Sequence, residues 1–275
     1  MRLADLMADG PTRVVGIVNV GDDSFADTVR RDVGAAIERG LELSGQGADL
    51  IDVGGQSTRP GAERVSVGEE LARVVPVVEA LAATGIAVSV DTVRSAVAAA
   101  ALRAGAIIVN DVSGGLADPG MHQVVADRGA GYVLQHWRTA FDHHSSHVDV
   151  VVEVCSELMR RASDAVSSGV DPTRLILDPG IGFGKTAAQN WQLIAQEAAI
   201  ADLGFPVLWG VSRKRFLAEV FDGPTEPWER DVAGVGLTTY LAQRRVWGVR
   251  THTVSDHRCG VAVAEAIREN QAGKR

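Results

Sequence analysis

The sequence is poor in cysteine and in aromatic residues, and it lacks any long apolar run. Its 275 residues include only two cysteines, Cys155 and Cys259, which show neither CxxC spacing nor a disulfide framework. No stretch reaches the roughly 18 apolar residues of a membrane-spanning helix. The first residues carry mixed charge without the apolar core of a signal peptide. We therefore expect a cytoplasmic protein, without a membrane partner, in which both thiols are reduced and structural.

An excess of positive charge is also missing. The chain has 27 Lys and Arg against 35 Asp and Glu, a formal net charge of −8. Nucleic-acid binding requires clustered basic residues that neutralise phosphates, so we expect no nucleic-acid partner. An anionic small molecule remains compatible with this balance, provided that the binding site concentrates positive charge locally.

What the chain does have is one repeated pattern: a short apolar run, a turn rich in Gly or Asp, and a helical stretch. Eight such runs occupy 13–20, 48–55, 86–92, 106–112, 131–137, 174–180, 206–212 and 246–254. Continuous rather than alternating apolar runs are typical of parallel strands that are covered on both faces. The pattern favours a (β/α)8 TIM barrel in one domain, 1–275, with 1–12 as a short N-terminal extension.

A doubly wound open sheet is the alternative architecture. It would have a GxGxxG fingerprint after the first strand, and the sequence there is GDDSF at 21–25. Helices are predicted, among other places, at 31–47, 67–83, 93–104 and 148–169. Glycines that suit left-handed helix caps follow several of the helices: Gly47, Gly85, Gly105, Gly169 and Gly204.

Polar side chains stand at or just past the ends of seven runs. They are Asn19, Asp91, Asn110, His136, Asp178, Ser212 and His252. In a barrel the carboxyl ends of the strands share one mouth, where catalytic groups collect. Helix capping is the alternative role for the Asn, Asp and Ser residues, although it does not account for the histidines.

Seven motifs, which span nearly the whole chain in order, resemble those of the dihydropteroate synthase family. They are GIVNVGDDSF (16–25), DVGGQSTRPGA (52–62), SVDT (89–92), NDVSGG (110–115), LDPGIGFGK (177–185), VSRKRF (211–216) and RTH (250–252). The resemblance implies a TIM-barrel transferase that joins a dihydropterin pyrophosphate to 4-aminobenzoate in folate biosynthesis. It also implies a Mg2+ cofactor, a homodimer and a sulfonamide target.

The resemblance assigns the pterin to a pocket formed by Asp91, Asn110, Gln135, Asp178, Phe183 and Lys214. Among these, Asp178 has the chemistry to accept two N–H groups of the pterin edge in a forked geometry. Lys214 can donate to the opposite edge. Asp91, Lys214 and Arg250 are the implied catalytic residues, with Asp91 stabilising a pterin cation after the C–O bond to pyrophosphate breaks.

The same resemblance assigns the other two substrate parts. Pyrophosphate is implied to bind Asn19, Arg59, Arg250 and His252, with Asn19 also holding Mg2+. The benzoate is implied to contact Phe25, Arg59, Pro60, Phe183, Ser212 and Lys214. Loops 21–32 and 56–65 would close over both substrates. For Phe25, packing against the following helix is the alternative to a contact with the benzoate ring.

Three positions depart from the family pattern. The first loop lacks the usual Thr-Pro and Gly-Gly pairs, Gln135 replaces a common Met, and Gln56 replaces a common Glu. The unusual first loop leaves open a non-catalytic paralogue that binds pterin, and pyrophosphate release would separate it from an enzyme. A pterin-dependent methyltransferase is disfavoured by RTH and SRKRF. PGIGFGKT at 179–186 misses a phosphate-binding P-loop because Pro179 replaces its first glycine.

Overall fold

Eight parallel strands form the centre of the molecule, which a computed structural model describes over residues 2–21, 33–56, 65–138 and 149–272. Each strand lies within one of the eight apolar runs that the sequence predicts. They are β1 (Arg13–Asn19), β2 (Leu50–Gly54), β3 (Val88–Asp91), β4 (Ile108–Asp111), β5 (Gly131–Gln135), β6 (Leu175–Asp178), β7 (Leu208–Gly210) and β8 (Gly248–Thr251).

The sheet closes on itself. Its strand order is β6-β5-β4-β3-β2-β1-β8-β7, and each neighbouring pair is parallel. A parallel bridge between Leu177 and Val207 joins the two end strands, and the Leu177 N–H donates to the Pro206 carbonyl at 2.8 Å. The predicted TIM barrel is therefore confirmed, and the open-sheet alternative is wrong.

Helices follow the strands and cover the outside of the barrel, except for α1, which precedes β1. They are α1 (Leu3–Met7), α2 (Val33–Gly45), α3 (Val67–Ala83), α4 (Ser95–Ala104), α5 (Met121–Arg128), α6 (Val150–Ser167), α7 (Ala187–Ala195), α8 (Glu197–Ala201), α9 (Asp231–Gln243) and α10 (Val254–Ala272). The five predicted cap glycines all have left-handed φ angles, from +83° to +113°. None of the helices in the described part of the chain is long and apolar enough to cross a bilayer.

The lower half of the barrel interior is apolar. Each strand, or the position just before it, contributes one residue to an apolar cluster there. These residues are Val15, Leu50, Ala87, Ile108, Val133, Ile176, Leu208 and Trp247. Leu6 of α1 closes this layer from below, and the Trp247 indole N–H donates to the Leu6 carbonyl at 2.9 Å. The N-terminal extension is thus the floor of the barrel.

Two residues further along most strands, the inward positions become polar. Because side chains alternate between the two faces of a strand, the residues after the apolar layer share the interior. They are the buried residues Asp52, Ser89, Asn110, Gln135 and Asp178. Arg250 of β8, with 20% of its side chain exposed, joins this group through its contact with Asp52. These residues at the carboxyl end of the strands locate the candidate site.

A buried histidine on the outside of the barrel makes stability depend on pH. His257 of α10 contacts the Thr238 hydroxyl of α9 through Nδ1 at 2.7 Å, and burial lowers the pKa of His257 to about 4. The unfolded chain binds this proton near pH 6.5, as a free histidine does. The folded state is therefore most stable above pH 6.5 and loses stability as pH falls toward 4.

We expect His257→Leu to remove this dependence. Between pH 7.5 and pH 5, the free energy of unfolding of the wild type should fall by about 2 kcal/mol more than that of the variant. Urea unfolding at the two pH values measures the difference. Identical pH dependence in both proteins would show that His257 is not buried in its neutral form.

Candidate active site

Arg250 of β8 enters the barrel interior between two carboxylates. Its Nε donates to Asp52 Oδ2 at 2.6 Å, and its Nη2 donates to Asp91 Oδ2 at 2.8 Å. Asp52 of β2 and Asp91 of β3 are both buried. The guanidinium fork is suited to two such partners, and the pairing offsets the cost of removing all three charges from water.

Asp52 also organises two further strands. Its Oδ1 accepts from the Ser89 hydroxyl at 2.6 Å, and its Oδ2 accepts from the Asn110 amide at 2.8 Å. The sequence interpretation missed Asp52 as a site residue. The run 48–55 contains two aspartates, Asp49 and Asp52, and the inward position of Asp52, two residues after Leu50, is the signal that could have identified it.

Asp91 and Asn110 each leave one oxygen without a partner. Among the described residues, neither Asp91 Oδ1 nor Asn110 Oδ1 has a hydrogen-bond donor, although both atoms are buried. Burial raises the pKa of Asp91 to about 7, Arg250 opposes this rise, and Asp52 adds to it. Buried acceptors without donors are costly, so both oxygens suit the N–H groups of a bound molecule.

Asp178 lies at the end of β6, next to Gln135 in the strand register. One carboxylate oxygen accepts from the Gly180 N–H at 2.7 Å. Burial raises the pKa of Asp178, whereas the Gly180 hydrogen bond and the charge of Lys214 lower it. The strand pairing therefore places two of the predicted pterin-binding residues, Gln135 and Asp178, side by side at the mouth.

Lys214 and Phe183 meet although they belong to different loops. The Lys214 ammonium lies 4.5 Å from the centre of the Phe183 ring, within the range of a cation–π contact. The lysine loop is braced at Arg213, whose left-handed φ of +59° is unusual for a residue other than glycine. The Arg213 guanidinium donates hydrogen bonds to both carboxylate oxygens of Asp231 at 3.0–3.1 Å, and these bonds stabilise the conformation.

Ser212 and His252 form a second polar contact at the mouth. The Ser212 hydroxyl lies 3.0 Å from His252 Nδ1 and accepts from the His252 backbone N–H at 3.3 Å. Arg39 of α2 donates to the His252 carbonyl at 2.8 Å. The ends of β7 and β8 are thereby joined, and the predicted benzoate and pyrophosphate residues Ser212 and His252 are neighbours.

Asn19 ends β1 beside Gly54. A Cβ at Gly54 would lie 3.4 Å from Asp91 Cβ and 3.7 Å from Asn19 Oδ1, so Asn19 and Asp91 flank the same small gap. The remaining predicted site residues, Phe25, Arg59 and Pro60, lie outside the described residues, as do most of the two predicted lid loops.

His136 does not join the other strand-end residues in the barrel mouth, contrary to the expectation from sequence. It is fully buried on the outer side of β5, where its Nε2 lies 3.2 Å from Glu157 of α6. Together with Glu153, these residues form a cluster that could hold a metal ion. Arg138 and Arg161 already pair with Glu153 and Glu157, respectively, so we assign no metal there.

The pairing with Arg250 makes a prediction about Asp91. Because the Arg250 charge lowers the pKa of Asp91, Arg250→Met should raise that pKa above about 7. Arg244→Met, which breaks a surface pair with Glu197, serves as the control and should leave Asp91 unchanged. Carbon-13 NMR titration of labelled aspartates measures both variants, and an unchanged or lower pKa in Arg250→Met would contradict the pairing.

Solved structures resemble this molecule over nearly its whole length. A dihydropteroate synthase from Xanthomonas albilineans with 4-aminobenzoic acid is 43% identical, with a TM-score of 0.86 over 94% of this chain and 93% of that chain. The same enzyme in complex with 7,8-dihydropteroate is 42% identical, with a TM-score of 0.84 over 94% of both chains.

Sequence comparison gives the same relationship. The dihydropteroate synthase of Mycobacterium leprae (strain TN) is 46% identical over 257 residues, which make up 90% of each chain. The pterin binding enzyme family matches residues 15–252, which include all the strand-end residues described above. The chain therefore belongs to the pterin-binding enzyme family.

Proposed function

We propose that this protein is a dihydropteroate synthase, a transferase that condenses 6-hydroxymethyl-7,8-dihydropterin pyrophosphate with 4-aminobenzoate. The observation that carries the proposal is the set of buried acceptors at the barrel mouth, where Asp91 and Asn110 present oxygens that no donor among the described residues reaches. The relatives named dihydropteroate synthase, 46% and 40% identical over at least 90% of this chain, support it.

The pterin edge supplies the donors that these acceptors need. Its amino group and ring N–H can bind the Asp178 carboxylate in a forked arrangement, while Asn110 accepts from a further N–H. Lys214 donates to the ring oxygen and nitrogen on the opposite edge. Phe183 and Gln135 complete the pocket, the first as an apolar wall and the second as an amide in place of the family's common methionine.

Arg250, His252 and Arg59 would bind the pyrophosphate. Arg250 would keep its contact with Asp91 and offer its remaining N–H donors to a phosphate oxygen, because the Arg250 charge lowers the pKa of Asp91 and so favours the carboxylate form. The negative charge of Asp91 would then lie beside the pterin when positive charge develops there. Asp91 thus stabilises the cation that forms as the C–O bond breaks, in an SN1-like route.

Mg2+ is the cofactor that we propose, and Asn19 is the residue that would hold it. The Asn19 amide oxygen at the mouth is a hard donor of the kind that Mg2+ prefers, and a single protein ligand fits an ion that keeps waters and phosphate oxygens. When bound, Mg2+ offsets charge on the departing pyrophosphate.

The amine of 4-aminobenzoate would then attack the pterin carbon and lose a proton. Its carboxylate is placed near Ser212, and its ring beside Phe183, with Phe25, Arg59 and Pro60 as further contacts. Sulfonamides share the shape of the aminobenzoate, so we propose that they inhibit the protein at this site. The loops 21–32 and 56–65 would exclude water from the cation.

The remaining assignments concern the state in which the protein works. We propose a cytoplasmic homodimer. Both cysteines are free thiols, in keeping with a reducing compartment. Apolar surface is exposed at Trp228, just before α9, and at Val232 in its first turn, which suits contact with a second copy.

Turnover tests the proposed activity directly. Purified protein with both substrates and Mg2+ should release pyrophosphate, with one dihydropteroate formed per pyrophosphate, and chelation of Mg2+ should lower the rate sharply. A non-catalytic pterin-binding paralogue would bind the pterin substrate without benzoate-dependent release. Binding without product formation would therefore reject the enzyme and favour that alternative.

The forked pterin contact predicts the effect of Asp178→Asn. The substituted amide keeps one oxygen for the Gly180 N–H, so the fold should survive, but its NH2 group opposes the pterin donors. We expect pterin affinity, measured by calorimetry, to fall about 100-fold or more, with little change in Tm. Asp171→Asn, on the loop after α6, is the control, and near-normal pterin affinity in Asp178→Asn would reject the assignment.

A further inference from the structure

The loop from 179 to 185, between β6 and α7, carries Phe183 but contains three glycines with left-handed φ angles. A Cβ at any of the three would also lie closer than 3.0 Å to a neighbouring atom. The distance is 2.1 Å from Gly180 to the His136 carbonyl oxygen, 2.8 Å from Gly182 to Lys214 Cδ and 2.7 Å from Gly184 to Arg138 Cβ. A chain this permissive needs side-chain contacts to hold a single conformation.

Lys185 supplies those contacts by folding back beneath its own loop. Its ammonium donates to the Gly180 carbonyl at 2.9 Å and to the Phe183 carbonyl at 3.3 Å, and it lies 3.0 Å from His136 Nδ1. Burial lowers the pKa of Lys185 to about 7, and below that pH its ammonium has three N–H donors and no acceptor. The three partners therefore match its three donors.

The orientation of the His136 ring allows it to accept a hydrogen bond from Lys185. Burial lowers the pKa of His136 to about 4, so its ring is neutral at physiological pH. Since Nδ1 accepts from Lys185, the ring proton lies on Nε2, which faces Glu157 at 3.2 Å. Arg161 holds Glu157 at 2.7 Å and also donates to the Gln135 carbonyl at 3.2 Å. The chain of contacts ties the loop to β5 and α6.

The conformation of the 179–185 loop determines the position of Lys214. Gly182 touches the Lys214 stem, and the Phe183 ring lies 4.5 Å from the Lys214 ammonium. A shift of the loop by 1 Å would move both contacts. Misplacement of this size can lower kcat/KM by about 100-fold without any change in the reacting groups.

We infer that Lys185 is a positioning residue, whose ammonium ties the 179–185 loop to His136 and thereby orients Phe183 and Lys214 for the pterin and the benzoate. The substrates named here rest on the proposed function, but the orientation of Phe183 and Lys214 does not. The lysine of the P-loop-like sequence at 179–186 therefore binds its own loop and the neighbouring histidine rather than a phosphate.

A measurement without substrate tests the positioning directly. The Phe183 ring current should shift the Lys214 methylene protons upfield in NMR spectra of the wild type, and Phe183→Leu assigns that shift. Lys185→Met keeps the length of the side chain and removes all three donors, so the upfield shift should disappear. Thr238→Val, which removes a buried hydroxyl contact between α9 and α10, is the stability control and should keep the shift.

Turnover supplies the second readout. In Lys185→Met we expect kcat/KM to fall about 100-fold per folded molecule, whereas Thr238→Val should stay within about twofold of the wild type. If Lys185→Met does not fold, Lys185→Gln, which keeps two N–H donors, replaces it with a smaller expected loss. An unchanged ring-current shift, or an unchanged kcat/KM, overturns the inference. Absence of turnover in the wild type would reject the proposed function while leaving the NMR test valid.

Discussion

Arg250 carries a positive charge into the barrel, and the carboxylates of Asp52 and Asp91 hold it there at 2.6 and 2.8 Å. Removing one partner from such a buried group costs about 3–5 kcal/mol, because the remaining charge is left without compensation. The same contacts fix the polar ends of β2, β3 and β8, and Asp52 extends them to Asn110 of β4. An acidic protein can in this way keep a cation where an anionic substrate would enter.

The rest of the structure supports this arrangement from below and from the outside. The apolar layer beneath it, closed by Leu6 of α1, keeps water out of the lower barrel. Loops after β6 and β7 then bring Phe183 and Lys214 together, each held by contacts to residues that lie behind the mouth. The strands thus position the hydrogen-bond acceptors of the site, whereas the loops position Phe183 and Lys214.

Sequence predicted the strands, the left-handed glycines and most of the residues at the mouth, because periodicity and strand ends depend on local pattern. It could not place His136 correctly, since strand alternation turns this side chain outward toward Glu157 at 3.2 Å. It also missed Asp52 and Lys185, whose importance depends on partners distant in sequence, such as Arg250 and His136. Pairing between elements is a property of the folded chain. The sequence marks Asp52 as a charged residue at an inward strand position, but it does not identify the partner.

We propose that Arg250, shared between Asp52 and Asp91, is the group that receives the pyrophosphate. Calorimetry of pyrophosphate binding in the presence of Mg2+ tests this most directly, with Arg250→Met beside the surface control Arg244→Met. We expect Arg250→Met to bind pyrophosphate about 100-fold more weakly, a loss of about 2.7 kcal/mol, while the control binds as the wild type does. Equal affinity in all three proteins would contradict it.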